Sequence, residues 1–195
     1  MAFPATCRLA LKEWAVTQQA LDRAEQILLL RKGGLREEGK SFDVLQPEFL
    51  IYPTYEHQRE DLLKTVYRER LSATLAHPHR PDRIVFSHWA RVAERIELRE
   101  TKQLEALSPY YIFTTDYAEA RLHWKPRSPL QLLLVRVYRL SKPRSLPYRA
   151  AYGGCKSWVA LEEAVELGAL APVLNEPQFQ ARVREIRRAL GLQCT

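Results

Sequence analysis

The stretch Leu130-Gln131-Leu132-Leu133-Leu134-Val135-Arg136-Val137-Tyr138-Arg139-Leu140 limits the folds open to this chain more than any other. A string of β-favouring apolar residues, interrupted chiefly by Arg136 and Arg139, predicts a central strand. Residues 83–98 reinforce the prediction with period two: Ala90, Val92, Ile96 and Leu98 alternate with Arg91, Arg95 and Glu97, as two strands or one long bent strand require.

Shorter strands are expected at 25–31, closed by Lys32-Gly33-Gly34, and at 49–52, stopped by Pro53. Helical spacing of Ala10, Trp14, Thr17 and Leu21 predicts an opening helix over residues 9–24, with Lys12, Glu13 and Arg23 off its apolar stripe. Thr54 reads as the N-cap of a helix reaching residue 75, with Glu56, Glu60 and Asp61 near its start. Further helices are expected at 101–107, from Thr115 or Asp116 to Trp124, from Ser157 to Gly168, and from Asn175 to Gly191, the last presenting Phe179, Val183, Ile186 and Leu190 to the body. Residues 35–47, 77–82 and the basic segment of Lys142, Arg144 and Arg149 read as loops. About five strands and six helices without regular alternation imply one α+β domain over 1–195, with a mixed or antiparallel central sheet.

Thirty Lys and Arg against twenty-three Asp and Glu give a net charge of +7, which favours an anionic partner. The longest apolar runs, Ile27-Leu28-Leu29-Leu30 and Leu132-Leu133-Leu134-Val135, cannot cross a bilayer, and Met1-Ala2-Phe3-Pro4 has no signal pattern, so a cytoplasmic protein without membrane contact is expected. Cys7, Cys155 and Cys194 make no metal spacing and are expected as reduced thiols; no cofactor is expected.

Six stretches stand out together: Ala10-Leu11-Lys12-Glu13-Trp14, Leu28-Leu29-Leu30-Arg31-Lys32-Gly33-Gly34, Phe49-Leu50-Ile51-Tyr52-Pro53-Thr54-Tyr55-Glu56-His57-Gln58, Leu122-His123-Trp124-Lys125-Pro126, Leu134-Val135-Arg136-Val137-Tyr138-Arg139-Leu140 and Tyr152-Gly153-Gly154-Cys155-Lys156-Ser157-Trp158. With them the chain resembles a bacterial family, the domain of unknown function 1802. The resemblance spans about residues 9–161 and implies no reaction. A looser likeness to PUA-like barrels rests on residues 90–98 and 130–140; it implies a partly barrel-like sheet and inclines the reading toward RNA.

Cations displace counterions from a polyanion, and aromatic faces stack on unpaired bases, so their interleaving points to nucleic acid. His123, Trp124 and Lys125 form one such group, Arg136 and Tyr138 a second, and Arg80, Arg83, His88, Trp89 and Arg91 a third. With Arg31, Lys32, Tyr152, Trp158 and the segment Tyr52, Thr54, Tyr55, Glu56, His57 and Gln58, they predict an RNA-binding groove.

An alternative is an enzyme acting on nucleic acid or a phosphorylated small molecule, with Glu56 and His57 as an acid and base pair and Cys155 as nucleophile. A metal nuclease of the PD-(D/E)xK type would instead use Asp82 and Glu100-Thr101-Lys102. His77, His79 and His88 match no zinc spacing. A protein-interaction module using surface aromatics is the remaining alternative.

Overall fold

The computed structural model describes residues 3–32, 47–76, 80–124, 128–154 and 156–192. Its first element is a strand, β1 (Thr6–Trp14), in place of most of the expected opening helix; helix begins only at α1 (Ala15–Asp22). Coverage explains the difference. β1 lies between β3 (Glu48–Thr54), which runs parallel to it, and β6 (Trp158–Glu166), which runs antiparallel. Consecutive Ala10 and Leu11 are therefore both fully buried, which removes the alternation that marks a half-exposed strand. β6 likewise replaces the helix expected after Ser157: its Ala, Leu and Glu residues favour helix, but Trp158, Val159, Leu161 and Val165 are buried against neighbours when it is extended.

β3 runs through Pro53, which was expected to stop it. Its pairing with β4 (Arg83–Leu98) covers only Glu48, Phe49 and Leu50, so at Pro53 the strand has β1 on one side and an open edge where a missing N–H is tolerated. Thr54 caps no helix. Its Oγ1 donates to the Glu13 carbonyl at 3.0 Å, fastening the ends of two parallel strands, and helix α2 starts later, at Thr65–Ala76.

β4 is one continuous strand bent at two register shifts, and its partner β5 extends over Leu130–Pro147. The segment holding Lys142 and Arg144 is thus strand where a loop was expected, because residues 83–86 of β4 pair with it. Helices α3 (Thr101–Leu107), α4 (Thr115–His123) and α5 (Glu176–Ala189) fall where the apolar spacing puts them, although the cap of α4 is Thr114.

With β2 (Leu28–Arg31) and β7 (Leu170–Pro172), the described residues form a mixed seven-stranded sheet of order β2-β5-β4-β3-β1-β6, with β7 beside β5. Five α-helices accompany it among the described residues, making the fold α+β, and the ladder does not close into a barrel. The sheet curls strongly nonetheless. Leu11 and Ile51 of β1 and β3 share a buried cluster with Leu29 and Leu133 of β2 and β5, although β5, β4 and β3 separate β2 from β1 in the ladder. The opposite face of β1, β3, β4 and β5 buries Tyr52, Phe86, Trp89 and Tyr138 with Tyr152. No described helix is long and apolar enough to cross a membrane.

Candidate ligand-binding cleft

The expected RNA groove is not one surface. Tyr52, Tyr138 and Tyr152 do converge, but inside the core: each is at most 6% exposed, and Tyr52 meets the Phe86 ring edge-on at 5.8 Å. Burial, with Tyr148, Glu56 and Tyr152 adding to it, pushes the Tyr52 hydroxyl up to about 12, as befits a ring sealed from water. Trp158 packs edge-on against Phe49 at 5.2 Å, and the Tyr152 hydroxyl accepts from the Glu162 amide at 3.0 Å.

The arginines expected beside these rings are already paired. Arg136 bonds Glu176 at the start of α5 and lies over the Phe179 and Tyr138 rings; Arg139 meets Asp22 at 2.5 Å and Arg91 meets Glu48 at 2.6 Å. His88 is buried, with Nε2 2.7 Å from Asp22 and Nδ1 2.8 Å from the Gln18 amide.

Other expected residues scatter. Glu56 and His57 are exposed, His57 with φ of 59°, and Tyr55 is partly buried. Gln58 accepts from the Val16 amide at the start of α1 at 3.4 Å. Asp82 and Glu100 flank opposite ends of the sixteen-residue β4, too far apart to share an ion, and Glu100 is spent in the capping box of α3. No described group of three His, Cys, Asp or Glu could hold a metal. Lys125, Cys155, His77 and His79 lie outside the described residues.

What the curl of the sheet does bring together is Arg31, at the end of β2, and Glu13, near the end of β1. Arg31 Nη2 stands 2.5 Å from Glu13 Oε1 and also donates to the Lys12 carbonyl; both side chains are about nine-tenths buried. From α4, Arg121 donates to the Leu30 carbonyl at 3.3 Å and spreads over the Tyr117 ring at 4.9 Å. Burial raises the Glu13 carboxyl above its usual range against the pull of Arg31 and Arg121, and burial lowers the Arg31 guanidinium against the pull of Glu13.

These groups line a cleft that encloses a cavity of about 20 Å³. Two polar atoms there have no hydrogen-bond partner among the described residues: Arg31 Nε and Thr17 Oγ1, the threonine being fully buried on α1. The outer end is aromatic. Phe113 and Tyr117 line it with rings 4.8 Å apart, and Trp14 packs on both, edge-on to Phe113 at 5.4 Å and stacked on Tyr117 at 6.0 Å. Lys32 Nζ, donating to the Leu122 carbonyl, ties β2 to the end of α4, where His123 is exposed and Trp124 is 41% exposed.

Of the expected residues, Arg31 is in this cleft and Lys32, His123 and Trp124 are beside it. Glu13, Trp14, Thr17, Tyr117 and Arg121 were not singled out. The available signal was Glu13-Trp14 within one of the family-like stretches, and Tyr117 with Arg121 four residues apart on one helix face.

A family model, that of the Domain of unknown function (DUF1802), matches residues 10–185. No curated protein and no solved structure gives a significant match.

Proposed function

Since the chain belongs to the DUF1802 family, whose description carries no activity, we propose from the cleft itself that this protein binds single-stranded nucleic acid, with RNA as the expected form. The observation that carries the reading is the composition of the lining: two guanidiniums, Arg31 and Arg121, face one carboxylate, Glu13, beside the rings of Phe113 and Tyr117. A surplus positive charge supplies the phosphate attraction. Partly buried rings at the outer end supply faces for unstacked bases, a contact worth roughly 1–3 kcal/mol per base. Arg121 serves both roles, since its guanidinium carbon already lies over the Tyr117 ring, 4.9 Å from its centre. The arginines of β4 and β5 have less to offer, because each meets a carboxylate, Glu48, Asp22 or Glu176, whereas in the cleft two guanidiniums act on the one carboxylate of Glu13.

Binding of a mixed-sequence RNA pool, followed by fluorescence anisotropy against increasing salt, tests the proposal. The expected result is an affinity that falls linearly on a log-log plot against salt and drops about tenfold or more in Arg121→Ala. Absence of binding at low salt, or an Arg121→Ala variant that binds like the parent, would count decisively against it.

A further inference from the structure

Resting on that reading of the cleft, we propose that its closed inner end takes a terminal phosphate monoester, so that the protein recognises the end of a strand in preference to its interior. The cavity of about 20 Å³ gives the first argument. At roughly 10–15 Å³ per water-sized oxygen, it admits one or two oxygens and no base. The two atoms without partners give the second. Arg31 Nε is an N–H donor and Thr17 Oγ1 a hydroxyl, both on side chains at least about nine-tenths buried, and both belong to the same cavity. Leaving a buried N–H or O–H without a partner is costly, and a phosphate oxygen is an acceptor that a guanidinium bonds strongly.

Depth gives the third argument. The walls at this end are the buried Leu28, Leu29 and Tyr111, while Phe113, Tyr117 and Arg121 are only partly buried, so a group must enter from the aromatic side and stop. An internal phosphodiester carries chain on both sides and cannot be pushed in to that depth, whereas a terminal monoester enters oxygen first. The adjoining nucleotide is then left level with Trp14 and Arg121, which cover the Tyr117 ring, and a base can stack on the indole or the guanidinium.

Glu13 sets the charge balance. The groups acting on its carboxylate are Arg31 from β2, Arg121 from α4 and the backbone N–H of Trp14, with Tyr117 and Thr17 lining the same cleft. A second anion beside Glu13 is opposed by its negative charge, so Glu13→Gln, which keeps the shape and removes that charge, is expected to tighten binding of a phosphorylated end several-fold.

The test uses one RNA sequence prepared with a 5′-phosphate, with a 3′-phosphate, with hydroxyls at both ends, and as a closed circle, with inorganic phosphate and a mononucleotide as competitors. The expected result is a preference of about tenfold or more for one phosphorylated end over the hydroxyl-ended strand and the circle. That preference disappears in Thr17→Val, shown to be folded by circular dichroism, and survives in Thr17→Ser. The competitors show how much of the preference the phosphate alone provides, and displacement of the phosphorylated strand by the mononucleotide is expected. Equal binding of all four RNAs overturns the end-recognition proposal while leaving nucleic-acid binding intact. An end preference that persists unchanged in Thr17→Val overturns the assignment to this cavity. If no RNA binds, both proposals fall.

Discussion

Glu13 and Arg31 show how a charged pair can be affordable in a core. Each loses hydration on burial, and their attraction across 2.5 Å offsets part of that cost, with Arg121 adding to the hold on Glu13 while opposing Arg31. Removing one partner strands the other, so Glu13→Ala and Arg31→Ala are each expected to destabilise the fold by about 3–5 kcal/mol, while replacing both with apolar residues of similar volume costs much less. Urea denaturation of the two single variants and the double variant gives the coupling directly, and additive losses would show that the pair does not act as a unit. Thr17 behaves differently. Its hydroxyl has no described partner in the folded chain, so Thr17→Val should leave stability unchanged or raise it by roughly 1 kcal/mol, measurable in the same titration.

At the scale of elements, α1 is the part that holds the cleft in register. Its first turn is met by Gln58, and its end is clamped where Asp22 receives His88 Nε2 at 2.7 Å and Arg139 Nε at 2.5 Å. Burial alone would raise the Asp22 carboxyl, but the bonds from His88 and Arg139 outweigh it and hold the pKa below the usual range. A depressed carboxyl stabilises the fold above its unfolded pKa, about 3.9, and that stabilisation is lost as pH falls through the folded value. The stability gap between the parent and Asp22→Asn is therefore expected at neutral pH and should close below about pH 4; a constant gap across pH would exclude the clamp. At the other end of the chain, Asn175 accepts from the Gln178 amide at 2.9 Å in a reciprocal capping box, and Asn175→Ala should lower the melting temperature through a loss of about 1 kcal/mol.

The same elements show what was legible beforehand. α3, α4 and α5 carry helical spacing with polar caps, and β4 and β5 carry long extended patterns, so their positions follow from local pattern. β1 and β6 do not, because the packing that makes them strands comes from β3 and from each other, distant in sequence, and overrides residues that would otherwise suit a helix.

Considered whole, the molecule explains why most of the site could not be read from residue order. Aromatic and basic residues along β4 and β5 looked like a groove, yet alternation on a doubly covered sheet turns Trp89 and Tyr138 inward, and Arg91, Arg136 and Arg139 find acidic partners. Arg31 was legible as a functional candidate from its place beside Lys32-Gly33-Gly34; its partner Glu13 was not, because only the curl of the sheet places the end of β2 against β1. The family resemblance was legible from the six stretches over about residues 9–161, and the family model shows membership over residues 10–185.

The measurement that bears most directly on the central claim locates the bound strand. In an NMR titration with a 5′- or 3′-phosphorylated RNA, the account predicts that the largest shifts fall on the Trp14 indole and on the amides of Thr17, Arg31, Tyr117 and Arg121, while the buried Trp89 indole stays still. Shifts centred on α5 or on the β4 and β5 arginines, with Trp14 and Arg121 unmoved, would contradict it.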